Sequence, residues 1–283
     1  MKKYPIKKFL FLILILCITL QLFGCKSTPK IIYTGADFDP FMNEIFLNEV
    51  QSDSVTLNYT IAKPENYGIT EYTPTFGSYS QKDMKESQKY AKSYIKKLEQ
   101  FDYETLSDEQ KITYDIVYKY LKDHCYSEKL FLYNEVLSPT TGLQAQLPVL
   151  LAEFHFYDKQ DIQDYITLLN ELKNYYTQIV NFQKEKSKAG LFMSDTCADA
   201  VIKQCKAFIA DKENNYLITL FNSKIDSYTA LTEEEKNTYK TQNKDAVINS
   251  VIPAYELLIN ELTALKGTGK NNGGLCNFKK GKE

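Results

Sequence analysis

Apolar residues recur every three or four positions through most of this chain, and this spacing restricts it to helices. The clearest series occupies the last long segment and consists of Val247, Val251, Tyr255, Leu258, Leu262 and Leu265. Residues at this spacing share one face of an α-helix, which can then pack against a core. No alternating apolar and polar run is long enough to build a sheet. The sequence therefore predicts an all-α fold, an irregular multi-helix bundle.

Capping residues indicate where several of these helices begin and end. Asp39 followed by Pro40 is typical of an N-cap and a first helical position, which predicts a helix running to about residue 51. Capping boxes, in which a hydroxyl residue is followed three positions later by Gln or Glu, predict helix starts at Ser107 and Thr232. Gly267 is predicted to end the last helix, and Pro253 to kink it.

The remaining segments are assigned from periodicity and from turn-forming residues. Further helices are predicted over residues 81–101, 161–185, 194–211 and 216–226. Loops are predicted where Pro and Gly cluster, over residues 63–80 and 138–142. The apolar run 149–156 has the composition of a strand, but its flanks favour a buried helix.

The N-terminus has the charge and hydropathy pattern of a secretory signal peptide. Four lysines precede an apolar stretch from Phe9 to Leu20, and the stretch leads into the lipobox Leu22-Phe23-Gly24-Cys25. An apolar run of this length is short for a membrane span, which needs about 20 residues. We expect residues 1–24 to be removed as a lipoprotein signal peptide and Cys25 to carry the lipid. The alternatives are an ordinary signal peptide with an accidental cysteine and an uncleaved anchor.

A lipid on Cys25 would place the protein outside the cytoplasm, anchored to the cell membrane. Residues 25–37 then form a polar tether, and residues 38–266 form the helical domain. The membrane, reached through Cys25, is the first predicted partner.

The charge composition argues against nucleic acid as a partner. All 34 basic residues are lysine, and arginine, which grips phosphate through a planar fork, does not occur. The formal net charge is −2, and it becomes −6 once residues 1–24 are removed, because that segment holds four lysines and no acid. A mildly acidic chain without a mixed basic patch is not expected to bind nucleic acid.

The four cysteines beyond Cys25 form no metal-binding or redox pair. They are Cys125, Cys197, Cys205 and Cys276. Cys197 and Cys205 would lie about 12 Å apart along a helix, which is too far for a disulfide. Small buried thiols are the favoured interpretation, and a disulfide between Cys125 and Cys276 stays open because exported chains can be oxidised.

Residues that could perform chemistry are few. His124 and His155 are the two histidines, and neither belongs to an H-E-x-x-H motif, so each is interpreted as a structural, hydrogen-bonded residue. The glycine-rich segment 267–274 lacks the spacing of a phosphate-binding loop and is interpreted as a helix end with a flexible connector. Glu233, Glu234 and Glu235 are expected to begin a helix rather than to act as acid-base catalysts.

The 22 tyrosines could stack against sugars or peptides, but their helical spacing favours packing in the core. The residues themselves thus predict no catalytic, metal or cofactor-binding residue, and lipidation at Cys25 is the one predicted modification site.

Several strings resemble those of bacterial lipoproteins in the family known as domain of unknown function 885. They are Phe38-Asp39-Pro40-Phe41 with Phe46 and Glu49, Pro64 through Ile69, Ser138 through Glu153, Lys188 through Ser194, Pro253 through Glu256, Lys266 through Lys270, and Gly281-Lys282-Glu283. Their order and spacing agree with the family over nearly all of the chain beyond Cys25.

The resemblance implies a helical protein whose C-terminal half carries an H-E-x-x-P-G-H type of motif, typical of a zinc peptidase-like enzyme. No position of this chain matches that motif, so the resemblance assigns it no catalytic residue. It implies instead the N-terminal half of a larger metallopeptidase-like fold, with residues 267–283 as the start of a truncated C-terminal half. Zinc and a peptide substrate would then belong with the other half, and this chain would be inactive by itself.

A second hypothesis is a complete lipoprotein without catalytic activity, acting as a binding or scaffold module.

Overall fold

The structure is a computed structural model, and it describes residues 32–271 and 273–283. The predicted signal peptide, Cys25 and most of the tether lie outside the described residues. Within them the chain folds into ten α-helices without a β-strand, which confirms the all-α prediction. No helix in these two ranges combines the length and the apolar character needed to cross a bilayer.

The helices, in chain order, are α1 (Gly35–Val50), α2 (Ser54–Thr60), α3 (Gln81–Leu98), α4 (Asp108–His124), α5 (Leu143–Glu153), α6 (Lys159–Lys188), α7 (Asp195–Phe208), α8 (Tyr216–Ser227), α9 (Glu233–Ala246) and α10 (Ile252–Leu265). Short 3₁₀ turns occur at Pro64–Tyr67, Tyr103–Thr105, Glu128–Tyr133 and Leu275–Asn277.

Helices α5 to α10 form the central bundle, which is built around α6 and α10. The apolar residues that recur every three or four positions in the sequence are buried here: Tyr255, Leu258 and Leu262 of α10 are fully buried. Two buried phenols add a polar link, since the Tyr176 hydroxyl donates to that of Tyr255 at 3.0 Å, and Tyr255 donates to the Gln144 carbonyl at 2.8 Å. Large buried side chains with satisfied polar ends fix how these helices pack.

A π-helical turn, Val247–Val251, joins α9 to α10 without a loop. The Ile252 amide bonds the Val247 carbonyl, five residues back. Pro253 follows immediately, and it has no amide hydrogen to bond the carbonyl four residues before it. The irregularity expected at Pro253 therefore takes the form of a wider turn just before it.

An ion pair between a buried lysine and a partly exposed glutamate connects α6 to the segment that follows the third 3₁₀ turn. Lys186 is 2% exposed, and its ammonium lies 2.9 Å from Glu135 and donates to the Asn134 carbonyl at 2.6 Å. Gln183 donates to the other Glu135 oxygen at 2.9 Å. A buried ammonium needs such partners, so this cluster holds the segment against the bundle.

Helices α1, α3 and α4 form a second group, the N-terminal layer, with its own smaller core. Its buried residues are Phe38, Phe41, Ala91, Ile95, Leu98, Phe101, Leu106 and Leu121. The chain enters this layer at Tyr33, whose ring stacks on Phe101 with 5.2 Å between ring centroids.

The predicted start of α1 is wrong. The helix begins at Gly35 with Thr34 as its N-cap, so Pro40 lies inside it. Contacts distant in sequence hold the extra turn: the Gly35 amide donates to Thr105 at 3.0 Å, and Gln110 donates to the Gly35 carbonyl at 3.0 Å. Local capping signals do not include such contacts.

Two other predictions need correction. Helix α2 was not predicted; Asp53 caps it by accepting from the Thr56 amide at 2.8 Å. The run 149–156 is helical as far as Glu153, but it is buried on one side alone: Leu151 and Ala152 are buried, whereas Val149 and Leu150 are 56% and 37% exposed. The helix predicted over residues 81–101 ends at Leu98.

Other helix boundaries agree closely with those predicted from the sequence. Both capping boxes are present, at the starts of α4 and α9, and Gly267 follows α10 with a φ of 78°. The predicted loops 63–80 and 138–142 are free of α-helix, although a 3₁₀ turn occupies Pro64–Tyr67.

Candidate functional site

A groove with a volume of about 830 Å³ opens between α1, α3 and α4 of the N-terminal layer. Its walls are largely apolar and aromatic, formed by Met42 and Phe46 of α1, Tyr90 and Tyr94 of α3, and Tyr120 of α4. Tyr90 and Tyr120 are 66% and 62% exposed. Exposed aromatic rings in a concavity of this size are typical of ligand-binding sites.

The packing of the layer explains why these rings stay exposed. Each of the three helices turns one apolar face to the shared core, and Phe41, Ala91 and Leu121 fill it. The residues that line the space beyond this small core come from the three helices and from Ser52 and Ser78, so no fourth helix of the described residues covers it. The aromatic rings at the edge of the core therefore line an open groove.

Polar groups lie at defined positions in the groove. Ser87 Oγ and His124 Nε2 form a hydrogen bond of 3.0 Å, and Asn48 donates to the Tyr94 hydroxyl at 2.8 Å. Burial raises the pKa of the Tyr94 phenol, so it stays protonated at neutral pH and can itself donate.

The rim of the groove is acidic. Glu49, Asp83 and Glu86 line it, and no lysine does. Glu86 is paired with Lys89 at 2.7 Å, and Asp83 accepts from the Ser80 hydroxyl at 2.6 Å. Within the described residues Glu49 has no ion-pair partner, so the groove favours a ligand with a positive charge.

Ser87 and His124 have the hydrogen bond of a nucleophile and its base, but the surroundings do not complete a catalytic site. Ser87 lies inside α3, where neighbouring backbone amides are engaged in the helix and cannot stabilise an oxyanion. No residue of the described ranges holds the second ring nitrogen of His124 in an orienting hydrogen bond. The arrangement therefore favours binding.

A second cavity, of about 510 Å³, lies between α5, α7 and α8. Gln144 and Gln204 line it and bond each other at 2.7 Å. Gln144 also donates to the Ser138 carbonyl at 2.7 Å, and Gln204 to the Pro139 carbonyl at 2.7 Å. These amides fix the loop before α5 to α7, which indicates a structural role.

The string Ser138 through Glu153, which carries much of the family resemblance, has a clear structural explanation. A Cβ on Gly142 would lie 2.3 Å from the Ser138 backbone nitrogen, so only glycine fits this turn. Gln144 anchors the loop, and its carbonyl accepts from Tyr255, which belongs to the string Pro253 through Glu256. These two strings therefore meet in the central bundle and stabilise it.

Two further strings, Lys188 through Ser194 and Lys266 through Lys270, also pack together. A Cβ on Gly269 would lie 2.4 Å from the Met193 carbonyl oxygen, so the two backbones approach closely. The Ser187 hydroxyl donates to Thr268 at 2.9 Å. The glycine-rich segment after α10 thus begins as a packed connection, and a role in binding phosphate is not indicated.

The structure places the other candidate residues apart from one another. His155 follows α5 and is exposed, with its ring between Tyr59 and Tyr157 at centroid distances of 5.7 and 5.3 Å. Its backbone bonds Asn58, but its ring makes no hydrogen bond within the described residues, contrary to the expectation for this side chain.

Glu233, Glu234 and Glu235 form the first turn of α9, as expected. Bonds from Lys159 and from Thr232 lower the pKa of Glu235 to about 2. Cys125, Cys197, Cys205 and Cys276 are all free thiols, so no disulfide joins Cys125 to Cys276 in this structure. Cys205 is buried as expected, whereas Cys276 is exposed, so the expectation of buried thiols is wrong for Cys276.

The part of the chain that the structure describes does not provide a site for the zinc that the family resemblance implies. Among the described residues no group of three His, Cys, Asp or Glu side chains is arranged to hold a metal ion. His124 and His155 belong to different elements, the first bonded to Ser87 and the second stacked between tyrosines. No reaction step through a metal is derived for this chain.

Taken together, fold and groove define an all-helical protein with a surface suited to binding. Over residues 65–282 the chain matches the model of the family described as bacterial protein of unknown function (DUF885). The chain therefore belongs to this family. The strings that resemble it at Phe38–Phe41, Phe46 and Glu49 precede the matched range.

A solved structure has a similar fold: the crystal structure of the putative lipoprotein from Colwellia psychrerythraea. The TM-score is 0.76 at 16% sequence identity, and the match covers 89% of this chain and 44% of that one. At this identity the likeness shows the fold alone. This chain thus spans less than half the length of the protein it matches. No curated protein matches the sequence.

Sequence reasoning did not find the groove. The interpretation of the tyrosines as core residues is correct for Tyr176 and Tyr255 of the central bundle but wrong for Tyr90 and Tyr120 of the groove. A signal was nevertheless present, because Tyr90 is flanked by Lys89 and lies off the apolar face of α3.

Proposed function

We propose that this chain is the ligand-binding helical portion of a lipid-anchored extracytoplasmic lipoprotein. The groove of the N-terminal layer supports this proposal, because it combines aromatic walls, polar anchoring groups and an acidic rim. Its ligand is a short peptide segment that carries bulky apolar side chains next to a lysine or arginine. The rings of Tyr90 and Tyr120 pack on the apolar side chains, and Glu49 pairs with the positive charge.

The experiment measures binding of the fluorescent hexapeptide Lys-Leu-Phe-Lys-Leu-Phe to the whole chain by fluorescence anisotropy. We expect a dissociation constant of roughly 10 to 1000 µM, in the range of a shallow and solvated groove. The variant Tyr90→Ala/Tyr120→Ala should weaken binding at least about tenfold, because aromatic anchors dominate such sites.

The matched control is Tyr157→Ala, which removes a tyrosine that is 48% exposed and lies beside His155, outside the groove. It should leave the affinity unchanged. A second control peptide with glutamate in place of both lysines should bind more weakly. The proposal would be rejected if Tyr157→Ala lost as much affinity as Tyr90→Ala/Tyr120→Ala, or if the first peptide did not bind.

Membrane anchoring through Cys25 is the second part of the proposal, supported by the lipobox. The Cys25→Ser chain, expressed in a bacterial host that processes lipoproteins, should no longer incorporate an alkyne-labelled fatty acid. It should also lose its membrane association after alkaline extraction. Undiminished incorporation in this variant would show that the lipid is attached elsewhere.

We further propose that zinc peptidase-like chemistry, which the family resemblance implies, belongs to the part of the family fold that this chain does not match. The 44% coverage of the Colwellia psychrerythraea protein supports this division. Purified chain with added zinc should then hydrolyse no fluorogenic peptide. Turnover that increases with zinc and disappears with a chelator would contradict it.

A further inference from the structure

Five lysines form a stripe along one face of α3. They are Lys82, Lys85, Lys89, Lys92 and Lys96, and all are exposed. Their separations of three and four residues place them on one side of the helix. The groove residues of α3, such as Ser87, Tyr90 and Tyr94, occupy different positions around it. This lysine stripe is therefore a second surface, separate from the groove.

Few negative charges oppose the stripe. Lys85 pairs with Glu128 at 3.0 Å, and Lys89 pairs with Glu86 at 2.7 Å. Lys82, Lys92 and Lys96 have no carboxylate of the described residues within ion-pair distance. Five lysines with two glutamates leave three positive charges uncompensated. This concentration of charge contrasts with a whole-chain net charge of −2.

The tether enters the fold at the C-terminal end of this same helix. The Tyr33 amide donates to the Gln100 carbonyl at 2.9 Å, and the Asp102 amide donates to the Tyr33 carbonyl at 2.8 Å. Cys25 precedes Tyr33 by eight residues, which can span at most about 29 Å. A lipid on Cys25 would therefore hold the membrane surface close to the Lys96 end of the stripe.

The length of α3 suits a contact with that surface. Its 18 residues extend over about 27 Å, which is about the greatest length of the tether. The whole stripe can therefore lie against the membrane that holds Cys25. A membrane rich in anionic headgroups attracts lysines near it and repels the acidic remainder of the chain. Both effects turn the same face of the protein toward the lipid.

We infer that the lysine stripe of α3 binds the anionic lipid headgroups of the membrane that holds Cys25. The inference rests on the proposed anchoring and adds an orientation to it. The stripe lies against the headgroups, and the groove, on another face of α3, stays open to the extracytoplasmic space. Each lysine near an anionic surface strengthens the contact about fivefold.

The test uses the lipidated protein in vesicles, with amine acetylation read residue by residue by mass spectrometry. One set of vesicles contains phosphatidylglycerol and phosphatidylcholine, and the other contains phosphatidylcholine alone. On the anionic vesicles the labelling of Lys82, Lys92 and Lys96 should slow at least about fivefold. High salt should restore it, because it screens the attraction. Exposed lysines of α6 and α7, Lys173 and Lys203, should be labelled at equal rates on both.

Two variants with the same charge change sharpen the test. Lys82→Glu/Lys92→Glu/Lys96→Glu should abolish the protection of Lys85 and Lys89. The control Lys173→Glu/Lys203→Glu/Lys206→Glu, which changes exposed lysines of α6 and α7, should retain it. Far-ultraviolet circular dichroism checks that both variants keep their helix content.

The outcomes separate this inference from the proposed anchoring. Loss of vesicle association on both lipids means that the anchoring has failed. Full association without slower labelling of the stripe overturns the inference alone, as does equal slowing on the two lipids. The inference is also overturned if soluble poly(glycerol phosphate) slows the labelling of the stripe and neither kind of vesicle does. The stripe would then bind an anionic polymer.

Discussion

Of the 30 residues of α6, 12 are buried, whereas Leu121 is the single buried residue among the 17 of α4. The central bundle surrounds α6, so that its side chains pack in several directions. The N-terminal layer covers one face of each of its helices and leaves the others to solvent. Buried apolar area stabilises the fold, so the bundle carries most of the stability, and the layer has surface available for binding.

The largest test of this comparison removes one tyrosine from each region. Tyr255→Ala in α10 should lower the free energy of unfolding by about 3 to 5 kcal/mol, because it leaves a cavity and unpairs the Tyr176 hydroxyl. Tyr120→Ala, in the groove, should change it by less than about 0.5 kcal/mol. Urea denaturation followed by circular dichroism measures both. Similar losses would mean that the layer is packed as tightly as the bundle.

A second test compares an ion pair whose lysine is buried with a pair that is exposed on both sides. Lys186→Met should destabilise the protein by about 2 kcal/mol, because the Asn134 carbonyl and the partly exposed Glu135 lose their partner. Lys85→Met breaks the exposed pair with Glu128, whose side chains are 51% and 52% exposed, and should cost at most about 1 kcal/mol.

The double variant Lys186→Met/Glu135→Leu provides the control for that test. It should be less destabilised than Lys186→Met, since no charged group is left without a partner. A larger loss in the double variant would show that Glu135 acts through its bonds to Gln183 rather than through Lys186.

A smaller test asks whether the two regions unfold separately. Ser107→Ala removes the N-cap of α4 and should cost about 1 kcal/mol, as should Thr232→Ala at α9. In hydrogen exchange, Ser107→Ala should speed exchange within α4 and leave α6 unchanged, because α4 belongs to the less stable region. Faster exchange throughout α6 would show that layer and bundle form one cooperative unit.

The smallest perturbation is chemical labelling of thiols in the native protein. Burial raises the pKa of the Cys205 thiol to about 12, so only roughly one molecule in ten thousand carries the thiolate at pH 8. Cys205 in the bundle should therefore resist iodoacetamide until the protein unfolds. Cys125 in the layer is half-buried and should react in the native state. Equal labelling rates of Cys205 and Cys125 in the native protein, measured by mass spectrometry, would contradict this difference between bundle and layer.

Local signals in the sequence predict the helices well. The capping boxes at Ser107 and Thr232 and the glycine after α10 act through hydrogen bonds and backbone angles between near neighbours. Predictions made from these signals agree with the structure within a few residues. The predicted start of α1 is wrong although Thr34 and Asp37 form a local cap there, with the Thr34 amide donating to Asp37 at 2.9 Å, and Thr105 and Gln110, about 70 residues away, also hold the additional turn.

The candidate site was less predictable. Tyr90 lies between lysines of α3 and Tyr255 lies in an apolar run of α10, which separates the exposed ring from the buried one, yet the sequence does not show that Tyr90 faces a groove. The difference depends on which helices lie opposite each ring. The spacing of the lysine stripe, in contrast, is visible in the sequence, but its meaning depends on where the tether joins α3.

The sequence by itself determined the helical class, the capped helix starts, the family resemblance and the lipobox. These properties depend on side chains close together along the chain or on the order of short strings. Only the tertiary structure decided that the N-terminal layer leaves a groove open, that the family strings pack on one another, and that the lysine stripe ends where the tether enters. Whether a side chain is buried depends on helices that are distant in the sequence but adjacent in space. The periodicity of one helix does not show which other helix packs against it.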